Sequence, residues 1–120
     1  LLPQWFNNII YDSTPYTFTH NGTDIKIKPD LRDKETKTLL YDQKAFNIKN
    51  GGSFARSSYK GIGRKIDKEL NDAWAMKQIF IWTDFCELPK IRVIAIKGSE
   101  CIERWPNYKI SKKDRESLFS

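Results

Sequence analysis

The chain has 120 residues, 39% hydrophobic and 30% charged, which suits a single globular domain with a modest core and excludes a disordered or fibrous chain. Lys and Arg number 21 against 15 Asp and Glu, a formal charge of +6 that fits a partner rich in phosphates. Apolar runs no longer than Ile79-Phe80-Ile81-Trp82 are too short to span a membrane, and no basic-then-apolar leader opens the chain.

Between Leu1 and Asp12, Trp5, Phe6, Ile9 and Ile10 recur at helical spacing and predict a short amphipathic helix, although Asn7 and Asn8 are poor helix formers. Two alternating runs joined by Asn21-Gly22 predict a hairpin, because that pair tolerates the positive φ angles of a tight turn. The stretch from Ile25 to Phe46, with the polar Lys34-Glu35-Thr36-Lys37 at its middle, reads as strand, turn, strand. After a glycine-containing loop from Asn47 to Ser53, the segment from Arg64 to Lys77 is rich in helix formers, with Ile66, Leu70, Ala73, Trp74 and Lys77 on one face. Two β-rich runs then flank Pro89, and their continuous apolar character predicts strands buried on both faces. The residues from Ser99 to Ser120 are basic and weakly patterned. This order predicts an α/β fold, a mixed central β-sheet flanked by helices, in one domain over residues 1–120. The start at Leu1, with no Met before Met76, leads to the expectation of a domain excised from a longer chain.

A hairpin centred on Thr36 sets Asp30 and Asp42, which are equidistant from it, directly opposite one another. Opposed residues share a face with Cβ atoms roughly 5 Å apart, and strand alternation adds Lys44 to that face. Two adjacent carboxylates repel unless a cation lies between them. A hard divalent ion such as Mg2+ fills that role with oxygen ligands and water, and can serve phosphodiester cleavage, with Lys44 orienting the water or holding a phosphate oxygen.

Pro29-Asp30 followed by Asp42-Gln43-Lys44 resembles the signature of the PD-(D/E)XK nuclease superfamily, which includes restriction endonucleases, Holliday-junction resolvases and several bacterial toxin nucleases. The motif hairpin, the following helix and the further strands also follow the family's order over about three quarters of the chain. The resemblance implies a restriction-endonuclease-like core and a metal-dependent endonuclease. Asp30 and Asp42 would be ligands of Mg2+ or Mn2+, the Gln43 carbonyl a third ligand, and Lys44 the catalytic lysine. It also implies a DNA or RNA substrate and, for a toxin domain delivered from a secreted or surface protein to a cytoplasmic target such as tRNA, an immunity protein as partner. Many family members carry a further acid on the first helix, where this sequence offers only Asp12 at the end of the segment.

Arg56, Lys60, Arg64 and Lys65, among glycines and serines running into a helix start, form a candidate nucleic-acid-binding segment, since free backbone amides and the helix dipole favour anions there. The single histidine, His20, offers a general base for the rival reading, a metal-independent toxin-type ribonuclease. A non-catalytic basic nucleic-acid-binding module is the alternative outside enzymology. Cys86 and Cys101 lack the companions of a zinc site and read either as one disulfide or as two separate thiols. The final Lys109 to Arg115 reads as a solvated basic tail with a weak attraction for phosphate.

Overall fold

A computed structural model of the chain describes residues 4–49, 51–56 and 68–119. The amino-terminal segment is not the expected helix. A 3-10 turn over Gln4–Asn8 runs directly into a strand, β1 (Ile9–Tyr11). Asn7 and Asn8 end the turn, and the β-branched Ile9 and Ile10 with Tyr11 favour the extended form once a partner strand is available.

The Asn-Gly signal is met by β2 (Tyr16–His20) and β3 (Thr23–Ile27), which pair antiparallel in a two-stranded sheet. Asn21 and Gly22 take φ of 47° and 81°, the left-handed conformation that a tight hairpin turn requires. The inward residues Phe18, Ile25 and Ile27 pack on the core.

The central sheet uses β4 (Leu31–Asp33), β5 (Leu40–Ala45), β7 (Gln78–Glu87) and β8 (Lys90–Lys97), in the spatial order β1-β4-β5-β7-β8. All neighbours are antiparallel except β5 and β7, which run parallel. Parallel neighbours need a crossover, and α1 (Lys68–Met76) lies between them in the chain. The sheet is therefore mixed and carries helices, as expected. Residues 64–67 of the expected helix lie outside the described residues.

In β7, Phe80, Ile81, Trp82 and Thr83 are all buried, whereas in β8 only Ile96 is. The expectation of burial on both faces thus fails for β8, because β8 is the edge strand and its apolar composition alone does not reveal that place. Trp74 and the neighbouring alanines of α1 join Leu40, Phe46, Phe80, Trp82 and Ile96 in one core.

The residues after Lys97 are patterned after all. They form α2 (Gly98–Arg104), a short β9 (Lys109–Ile110) paired with β6 (Gly52–Ser53), and α3 (Lys112–Leu118). Ser111 caps α3 by accepting from the Asp114 amide at 3.1 Å, and Cys101, Trp105, Tyr108 and Ile110 are buried in the core. Arg115 is buried rather than solvated, its guanidinium donating to the Asn47 carbonyl at 2.9 Å. Among the described residues no helix is long and apolar enough to cross a membrane.

Candidate functional site

The site is positioned by the turn between β4 and β5. Asp33 closes it: one carboxylate oxygen accepts from the Thr36 amide at 2.7 Å, the other from the Leu39 amide at 2.9 Å. The Thr36 hydroxyl also donates to it, and these bonds hold its carboxyl far below the usual range, the hydroxyl most of all. With that turn fixed, Leu31 pairs with Tyr41 and Arg32 with Leu40, the register that sets Asp30 opposite Asp42.

Asp30 lies just before β4 and is exposed. Its amide donates to the Tyr41 carbonyl at 3.0 Å, and its carboxylate accepts from the Gln43 amide at 2.8 Å. Asp42 is deeper, with 15% of its side chain exposed, and Lys44 Nζ lies 3.4 Å from its Oδ2. Burial raises the Asp42 carboxyl; Lys44 pulls it down, and the charge and hydrogen bond of Asp30 push it up again, leaving it at about 6 against an ordinary 3.8. The structure thus brings Asp30, Asp42, Gln43 and Lys44 together. Among the described residues no third acid, His or Cys joins them. Asp12 is occupied elsewhere, accepting from the Thr14 amide at 3.1 Å.

The donor set is two carboxylates and the Gln43 carbonyl. Phe46 donates its amide to Thr83 on β7, so by strand alternation the amide and carbonyl of Gln43 turn to the opposite edge, toward Asp30. Mg2+ commonly takes one or two carboxylates and fills its octahedron with water and phosphate oxygens, and a carboxylate pair that resists double ionisation gains from such an ion. These residues fit a small divalent cation.

The other candidates fare differently. Arg56 donates its amide to Asn71 Oδ1 of α1 at 3.2 Å and has no described contact with the carboxylates. Lys60, Arg64 and Lys65 lie outside the described residues. His20 stands 3.0 Å from Glu69 Oε1, which also accepts from the Asn21 amide group at 2.6 Å, so it fastens the β2–β3 hairpin to α1. Cys86 and Cys101 are separate thiols, and burial pushes Cys101 up to about 12.

A second acid of the same sheet face escaped the sequence reading. Asp84 is 2% exposed and accepts from Arg92, its cross-strand partner, through Nε at 3.0 Å. Arg92 in turn reaches Glu116 of α3 at 3.1 Å. Burial alone would raise Asp84, but hydrogen bonds from Cys86 and Arg92 and the charge of Arg92 outweigh it and hold the carboxyl at about 2. The only signal was an acid placed one residue past the apolar run Ile79-Phe80-Ile81-Trp82.

Compared with protein-family models, curated proteins and solved structures, the chain matches none.

Proposed function

We propose that the chain is a metal-dependent endonuclease with a restriction-endonuclease-like core, hydrolysing phosphodiester bonds of DNA or RNA. The observation that carries the proposal is the Asp42 carboxyl, half-buried, raised to about 6 and set between Asp30 and Lys44. Support also comes from the order of elements, a motif-bearing antiparallel hairpin followed by a helix and a parallel strand, and from the net positive charge.

Asp30, Asp42 and the Gln43 carbonyl would hold Mg2+ or Mn2+. Bound there, the ion lowers the pKa of a water and neutralises charge growing on the phosphate. The Gln43 amide fixes the Asp30 carboxylate, so one ligand is oriented before any ion arrives. Lys44, held near Asp42 by opposite charge, presents its ammonium to a phosphate oxygen or to the attacking water. Leu40 and Phe46, buried on either side of this pair along β5, limit water around it and strengthen each of these interactions.

Incubating the whole chain with plasmid DNA and with total tRNA, in Mg2+ or in EDTA, tests the proposal. Wild type cuts at least one substrate only with the metal. Asp42→Ala abolishes cutting, and Lys44→Ala lowers the rate about 100-fold or more, the usual effect of losing one charge-stabilising donor. Cutting that survives EDTA, equal cutting by both variants, or no cutting of either substrate overturns it.

A further inference from the structure

The edge of β5 on which the Gln43 amide meets Asp30 loses its neighbour just past the site. β4 pairs with β5 only as far as Tyr41, and the Asp30 carboxylate caps the Gln43 amide beyond it, whereas β7 stays paired through Ala45 on the other edge. A cleft of about 600 Å³ lies at this end of β5, lined by Ala45, Asn47, Gly51, Gly52, Ser53 and Lys109. Its far wall is the β6–β9 ribbon, in which Ser53 pairs with Lys109. Gly51, at φ of 81°, lies so close to the Ile110 carbonyl that no side chain fits there.

The one charged residue among the described lining of the cleft is basic. Lys109 lines it, Lys49 stands in the adjoining loop, and Lys112 and Lys113 open α3 just beyond β9. None of the four takes part in an ion pair among the described residues. The acids of α3 are turned to other work, Asp114 accepting from the Trp105 indole at 3.0 Å and Glu116 pairing with Arg92 and Arg115. Four like charges beside a polar cleft repel one another, and an anionic occupant relieves that repulsion.

We infer that this cleft carries a single nucleic-acid strand past Asp30, Asp42 and Lys44, with Lys109 on its phosphates and Lys49, Lys112 and Lys113 as outer contacts. A single strand fits because the volume is that of a small-ligand pocket and cannot admit a duplex. The strand's identity as substrate rests on the nuclease proposal, but holding it needs no metal.

The test is fluorescence anisotropy on the whole chain in EDTA, with a labelled oligothymidylate of about 16 nucleotides, titrated between about 50 and about 200 mM salt. Lys109→Glu weakens binding about tenfold and lowers the slope of log affinity against log salt by about 0.7, one phosphate contact on a single strand. Lys97→Glu, at the opposite end of the sheet beside Ile79, binds as wild type. A melt by circular dichroism checks folding, and if Lys109→Glu does not fold, the Lys112→Glu/Lys113→Glu variant decides by the same criteria. Equal affinity of wild type and the cleft variant overturns the inference, as does a loss no larger than that of Lys97→Glu. Tighter binding of poly-glutamate than of the oligonucleotide also overturns it, in favour of an acidic protein partner. A failed metal site shows instead in the cleavage assay and leaves this EDTA titration unchanged.

Discussion

Replacing Asp42 with Asn stabilises the protein at neutral and alkaline pH while disabling the proposed site. The native state holds the Asp42 proton with a pKa of about 6 against 3.8 for the ordinary carboxyl, so it binds the proton more tightly than the unfolded chain does. Stability therefore falls as pH rises from 3.8 through about 6 and stays reduced above that. The difference corresponds to about 3 kcal/mol at 1.36 kcal/mol per unit, and with only 15% of the side chain exposed screening by water removes little of it. Asn has a similar shape, stays neutral and can donate to Asp30. The variant should match wild type near pH 4 and exceed it by about 3 kcal/mol near pH 8, a Tm gain of roughly 10 °C for a domain of this size. Urea and calorimetric melts across that range, in EDTA, measure it. A difference that does not grow with pH, or an Asn variant less stable at pH 8, would refute the reasoning. Mg2+ added at pH 8 should raise the Tm of wild type and leave Asp42→Asn unmoved, since only the ionised carboxylate gains a ligand.

Arg92→Ala leaves the Asp84 carboxylate buried without its guanidinium and costs about 3–5 kcal/mol by urea melt near pH 7. Asp84 lies below its ordinary pKa, so the stability it contributes is present above 3.8 and is lost as pH falls toward 2, where the deficit of Arg92→Ala should shrink. Gly52→Ala places a methyl 2.6 Å from the Trp82 ring and 3.0 Å from that of Phe46. It should cost about 1–3 kcal/mol and shift the tryptophan fluorescence, because overpacking forces those stacked rings apart.

The turns of the two hairpins were legible because they are written locally, although the strand expected across Ile25 to Asp33 breaks at Lys28–Asp30 into β3 and β4, which belong to different sheets. Asn21-Gly22 specifies positive φ, and the polar segment around Thr36 fixes its own register through Asp33, so Asp30 and Asp42 could be opposed by counting. The amino-terminal segment misled because Trp5, Phe6, Ile9 and Ile10 satisfy helical spacing, while the deciding interaction, pairing of Ile9–Tyr11 with β4, spans more than twenty residues of chain. After Lys97 the signals were present but interleaved with charge: Ser111 followed by Asp114 is a helix start, and Trp105, Tyr108 and Ile110 supply a buried face. The Asp84–Arg92 pair depends on the register of β7 with β8, which shifts between Asp84 and Glu87, and no local pattern encodes that shift. The exposure of β8 depends on sheet order, which strand composition does not carry.

Two carboxylates on one face of the same sheet, Asp42 half-buried and Asp84 buried, four residues apart in strand register, separate structure from function more sharply than either does alone. Asp42 pairs in register with Phe80, and Asp84 lies further along the same strand as that partner, past Trp82. Asp84 is met by a guanidinium from the facing strand and by the Cys86 amide at 2.9 Å, and its pKa falls; the fold has satisfied it. Asp42 is met by another carboxyl and by an ammonium at 3.4 Å, and its pKa rises. Phe46 stacked on Trp82 at 4.7 Å and the closed turn at Asp33 keep the surrounding sheet in place around it. An apolar residue at position 42 would continue the buried row of Leu40 and Phe46 at no electrostatic cost. A sheet that instead holds an ill-paired acid beside a second acid and a lysine has kept a local conflict of the kind that marks sites where a ligand completes the balance. The divalent cation proposed above would resolve this one, bringing positive charge and taking oxygen donors.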